Sequence, residues 1–166
     1  MVQYVLDTNF FVQAHRMHYP FDIFPSFWNK VKELAEVGVI VSLDKVRNEL
    51  VHNKDHLTDW IETNLPKDFF QSSEVVINQY SAVASWAASR SSHYTQAALN
   101  EFLNVDEADA WLVAYSLVDC QNRILIIHEI PQPQGRKKIK IPEACNATGV
   151  AFMDTITMMR QIGISF

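Results

Sequence analysis

Residues 4 to 11 read YVLDTNFF, and the choice of fold rests on that stretch. Tyr4, Val5 and Leu6 form a short apolar run of the kind that fills a buried strand, and Phe10 and Phe11 resume it. Between them stand Asp7, Thr8 and Asn9. A lone carboxylate at the mouth of a buried strand is costly unless something pairs with it. The same residues can open a helix, with Thr8 and Asn9 as capping candidates. The stretch therefore predicts strand, polar turn, then a short helix that Pro20 closes.

Working outward, RILIIHE at 123 to 129 is a second apolar run, of the type found inside parallel sheets, and it ends on Glu129. VIVSL at 39 to 43 is a third. Ser26 is placed to cap a helix with Phe27, Val31 and Leu34 on one face, and Gly38 to stop it. Asp44 is placed to cap KVRNELVH, and DEADAWLVAYSLV at 106 to 118 reads as an amphipathic helix opening on three acids. The region from 55 to 103 is mostly helical, interrupted at Pro66 and RSSHY, and the chain closes with a helix over about 152 to 161. RKKIKI at 136 to 141 alternates, as a basic edge strand would; the same residues could touch RNA phosphates. Short apolar strands separated by helices predict one three-layer α/β/α domain over residues 1–166, with a central, mainly parallel sheet.

Composition agrees with a single globular domain: 166 residues, 48% apolar and 20% charged. A net charge of −5 argues against a protein that coats nucleic acid non-specifically, but not against an enzyme that meets it through a metal ion. No basic segment followed by an apolar run marks a secretory signal, and no apolar stretch is long enough for a membrane span. Cys120 and Cys145 belong to no Cys-x-x-Cys pair and read as reduced core residues of a cytoplasmic protein.

Ligands of open parallel sheets bind beyond the carboxyl ends of the strands. Asp7 and Glu129 occupy two such ends. Glu49, three residues after Val46 and beside Leu50, borders the inner face of its helix. Asp109, three and four residues before Leu112 and Val113, leans the same way. Four carboxylates from four elements thus approach one rim, where they would resist ionising together. A hard divalent cation, Mg²⁺ or Mn²⁺, removes that conflict. Thr8 and Asn9 can orient Asp7 or a bound water, and Asp106, at i, i+3 from Asp109, is a supporting candidate. Blander readings stand beside this one: Asp7 as a simple helix cap, and the acids at 106 to 109 as complements to a helix dipole. His52 and His56 have i, i+4 spacing, but Asn53 follows His52 where a zinc protease would carry Glu.

VLDTN, then Glu49 after the second strand, then ADAWLVAYSL, then LIIHE resemble the PIN domain, in that order and over nearly the whole chain. FDIFPSFW and KIKIPEAC further resemble an uncharacterised PIN-like subgroup. Asp7, Glu49 and Asp109 match the three most regular acids of the family, and Asn9 the polar residue after the first. The fourth family acid is usually Asp after a small hydroxyl and a basic residue. Here Glu129 follows Ile127 and His128, a departure that leaves its role as a direct ligand open. The resemblance implies a Mg²⁺- or Mn²⁺-dependent ribonuclease that leaves a 5′-phosphate and a 3′-hydroxyl. Through toxins of VapC type it implies an antitoxin partner and a homodimer. Single-stranded or looped RNA suits a compact, acid-lined pocket better than a duplex. A non-catalytic PIN-like binding module is a second expectation. A phosphatase with Asp7 as nucleophile is a third, opposed by Asn9 at the place where such enzymes carry an acid/base Asp.

Overall fold

The structure, a computed structural model, describes all residues from Met1 to Phe166. β1 (Gln3–Leu6) leads into α1 (Thr8–Gln13), which loosens into one wide turn over Ala14–His18 before α2 (Pro25–Glu36). β2 (Ile40–Leu43), α3 (Asp44–Val51), α4 (His56–Asn64) and the two-residue β3 (Phe70–Gln71) follow. After a 3₁₀ turn come α5 (Ile77–Ser89), α6 (Gln96–Phe102), α7 (Ala108–Val118) and β4 (Arg123–Ile126). α8 (Ile141–Thr148), β5 (Ala151–Met153) and α9 (Thr155–Ile162) complete the chain.

All five strands are parallel, in the order β3-β2-β1-β4-β5. β1 is central, its Tyr4 opposite Ile40 on one side and its Leu6 opposite Ile126 on the other. The chain winds from β1 to β2 and β3 in one direction, then returns to lay β4 and β5 in the other. The reversal point therefore lies between β1 and β4, the place where open parallel sheets leave a crevice at their carboxyl edge. Nine helices flank the sheet and complete the three-layer α/β/α architecture expected from the strand and helix pattern. The buried hydroxyl of Ser42 donates to Leu6 O at 2.6 Å, satisfying one polar group inside the sheet with another.

α7 departs from the expected amphipathic helix. Its residues Ala110 to Ser116 are all buried, and it packs against α3, α5, α8 and β4. A helix apolar on every side belongs inside a layer, not on its surface. Tyr80 of α5 stacks on Trp111 with ring centres 3.9 Å apart. In another layer of contacts, α2 and α9 bring Phe27, Val31, Met158 and Met159 against Phe10 and Ile40. Tyr19 stacks on Phe27 at 4.1 Å, and the Trp28 indole N–H donates to Tyr19 O at 2.6 Å.

Several local expectations are corrected. Ser26 lies inside α2, whose first residue is Pro25; a proline opens a helix well because its missing N–H is not needed there. Asp44 is the first residue of α3, not its cap, and its carboxylate accepts from Lys45 N and Ser73 N. The closing helix begins at Thr155, because residues 151 to 153 pair with β4. RKKIKI forms no strand; Ile139 and Ile141 are buried as anchors of a loop and of the start of α8. Cys120 is exposed, whereas Cys145 is buried as expected.

Candidate active site

Asp7 directly follows β1, and its backbone turns there from extended to helical. The carboxylate, and not Thr8 or Asn9, caps α1: Oδ1 accepts the Phe10 N–H at 2.9 Å. Asp7 is only 3% exposed, and the Phe10 and Phe11 that follow it in the chain are buried too. That one N–H is its sole protein hydrogen-bond donor. Burial pushes the Asp7 carboxyl up to about 8, against the opposing pull of the Phe10 N–H. The negative charges of Asp109, Glu129 and Glu49 push the same way.

Glu49 is held from two sides. Thr8 Oγ1 donates to Oε2, and Ala108 N donates to Oε1 at 3.1 Å. A single carboxylate on α3 thereby ties the start of α1 to the start of α7, supplying the donor-rich first turn of α7 with an acceptor from another element. Thr8 is thus the residue that orients Glu49. Asp109, the second residue of α7, follows immediately after that contact. Burial pushes its carboxyl up to about 7, Glu129, Glu49 and Glu107 add to the rise, and Lys138 opposes it.

Glu129 stands three residues beyond β4, across the reversal point from Asp7. Its charge is felt by both Asp7 and Asp109, and its Oε2 is buried with no hydrogen-bond partner. The structure thus brings Asp7, Glu49, Asp109 and Glu129 into one electrostatic neighbourhood at the carboxyl edge of the sheet. Asn9 is exposed and bonds to none of them. Asp106 is exposed in the turn before α7. Because the helix begins only at Ala108, the helical i, i+3 relation to Asp109 does not hold.

Two residues that the sequence reading left out of the site belong to it. Glu107 and Lys138 line one crevice with Asp109, together with Glu101, Phe102 and Ile139. Burial raises the Glu107 carboxyl, Glu49 and Glu101 raise it further, and Lys138 holds it down. The buried Ile139, next to Lys138 in RKKIKI, is the sequence signal that could have placed Lys138 here. His128 faces elsewhere: its Nε2 and Thr155 Oγ1 share a hydrogen bond of 3.1 Å, and it lines a separate cavity with His18 and Tyr19. His52 and His56 are both exposed, the second opening a different helix from the one that ends before the first.

A family model described as "Domain of unknown function (DUF4411)" matches residues 4–166. The chain belongs to the DUF4411 family. No curated protein and no solved structure matches it.

The site residues suit a hard divalent cation. The donors are all carboxylate oxygens, which is the ligand set that Mg²⁺ and Mn²⁺ take. Glu129 Oε2 is buried without a donor, and the acids raise one another's affinity for protons. No three carboxylates stand as a ready-made cage. No helix of the DUF4411 chain is long and apolar enough to cross a membrane.

Proposed function

We propose that the chain is a metal-dependent ribonuclease, with Asp7, Glu49, Asp109 and Glu129 holding one or two Mg²⁺ or Mn²⁺ ions. The observation that carries this reading is the buried Asp7 at the reversal point of a parallel sheet, given a single hydrogen-bond donor and facing the negative charges of three further carboxylates. Burial of such a carboxylate is destabilising without a counter-charge, and perturbed acids in a cleft are the mark of a functional site. A bound divalent cation would supply a water of lowered pKa and charge neutralisation at a scissile phosphate. The ordered resemblance of the acid-bearing segments to PIN domains supports RNA as substrate, and through toxins of VapC type an antitoxin partner and a homodimer.

Each chain residue has a definite task in that reading. Asp7 presents its free oxygen from a position fixed by the Phe10 cap. Thr8 and Ala108 fix the carboxylate plane of Glu49. Asp109 sits on the first turn of a helix buried from Ala110 to Ser116, so its backbone is held in place when charge builds up beside it. Glu129 reaches in from the opposite side of the reversal point.

The departure at Glu129 from the acid usual at the fourth PIN position supports one other reading, a PIN-like module that binds a partner without cutting. Incubating a mixed RNA pool with the purified chain in Mn²⁺, in Mg²⁺ and with chelator separates the two. The nuclease reading predicts cation-dependent cleavage leaving 5′-phosphate ends. RNA left intact in both cations, by a protein shown to bind them, would favour the binding module.

A further inference from the structure

The basic segment Arg136 to Lys140 supplies no carboxylate to the site, yet its Lys138 and Ile139 line the same crevice as Asp109. His93 Nε2–H donates to Gly135 O at 2.8 Å, Thr95 N donates to Arg136 O at 2.9 Å, and Arg136 Nη2 donates to Ser92 O at 3.5 Å. At the other end of the loop, Gln132 N donates to Glu143 Oε1 at 2.6 Å. Ile139 is buried at 2% exposure and pegs the segment to the core. A loop with bonds at several points and a buried peg has a fixed path, so its exposed side chains project from fixed places.

Lys138 projects into the crevice that Asp109 and Glu107 line. It is the only basic side chain in that lining. The ion pairs of the chain are Arg16–Asp55, Lys30–Glu33, Lys32–Glu36 and Arg47–Glu62, and Lys138 is in none of them. Its ammonium is near enough to draw Asp109 and Glu107 toward their charged forms, yet it closes no pair with either. A lysine that merely neutralised the acids would close such a pair. One held beside them and left open is placed to meet an anion that arrives between it and a cation-loaded carboxylate site.

We infer that Lys138, carried on a tethered loop, is a phosphate-binding residue that seats the backbone of a single-stranded nucleic acid next to the carboxylate site. The inference deepens the nuclease reading and rests on it for the identity of the strand. Lysine serves here as a point charge reaching a phosphate oxygen and reads no base, so the contact is indifferent to sequence. Arg136, Lys137 and Lys140 share the loop but lie outside the crevice lining. They attract the strand over distance without fixing its position.

The test is binding of a labelled single-stranded RNA oligonucleotide by fluorescence anisotropy. The full chain would keep all four carboxylates, with Ca²⁺, which takes the same oxygen ligands, in place of Mg²⁺ or Mn²⁺, over a series of KCl concentrations. Lys138→Ala should weaken binding about five- to tenfold and reduce the slope of log affinity against log salt by about 0.7, one single-strand phosphate contact. Lys138→Arg should keep most of the affinity, and Lys137→Ala should change it less than twofold. An unchanged slope in Lys138→Ala, or an equal loss in Lys137→Ala, would overturn the assignment. Because binding is read in a background that need not cut, the result is independent of cleavage. A Lys138 effect together with an inactive wild type would sink the nuclease reading and leave the phosphate site standing.

Discussion

With divalent cations chelated, the chain should lose thermal stability steadily as pH rises from 5 to 8. Asp7 and Asp109 both hold protons more tightly in the folded chain, at about 8 and about 7, than the value of 3.8 for an ordinary aspartate. Between those values the folded chain carries protons that the unfolded chain has already released. Unfolding free energy therefore falls as pH rises through that window. At about 1.4 kcal/mol per pKa unit, Asp7 alone accounts for a loss on the order of 5 kcal/mol by pH 8, a large part of the stability of an ordinary domain. Asp7→Asn keeps an oxygen for the Phe10 N–H and removes the titration. Its melting temperature in chelator should match wild type only below about pH 4 and exceed it by at least about 5 °C at pH 8. A wild-type melting temperature flat with pH, or an Asp7→Asn chain less stable at pH 8, would show that these carboxyls are not buried without compensation as described.

Cleavage should respond oppositely. Asp109→Asn should lower cation-dependent RNA cleavage by more than about 100-fold, beyond the loss usual for residues that only orient metal ligands. The fold should survive. Asp109 complements the dipole at the start of α7, a contribution of about 0.5 kcal/mol, and relief of its burial and of repulsion from Glu129 outweighs that. Circular dichroism should therefore match wild type, and the melting temperature in chelator at pH 8 should lie at or above it. An Asp109→Asn chain that cuts RNA normally would remove this residue from the chemistry.

The parts of this account that were legible in the sequence are those with strong local signals. YVL and RILII are apolar enough to be strands in any context, and both acids that terminate them were visible at once. The edge strands were not visible. β3 has two residues and β5 three, too few for a period of two to register, and pairing with β2 and β4 defines them. RKKIKI misled for the converse reason. Its alternation arises from two buried isoleucines with separate jobs, one pegging a loop and one opening α8.

The site was similarly divided. Glu49 was placed by its helical spacing from Val46, but the Ala108 N–H that fixes it is 59 residues away in sequence and no spacing could reveal it. Asp106 was favoured over Glu107 on the assumption that α7 began before residue 106. The start at Ala108 removes the turn on which that assumption depended. Lys138 enters the site through a loop bonded to His93 and Thr95, contacts some forty residues away in sequence, so only the neighbouring Ile139 hinted at its place.

The most direct measurement of the central claim is calorimetric titration of Mn²⁺ into the metal-free chain at pH 7, in buffers of different ionisation enthalpy. Metal ligands must be deprotonated to bind. With Asp7 at about 8 and Asp109 at about 7, the account predicts release of roughly one to two protons on saturation in wild type, and release and affinity both sharply reduced in Asp7→Asn. Absence of binding, or binding that releases no protons and is unchanged by Asp7→Asn, would contradict it.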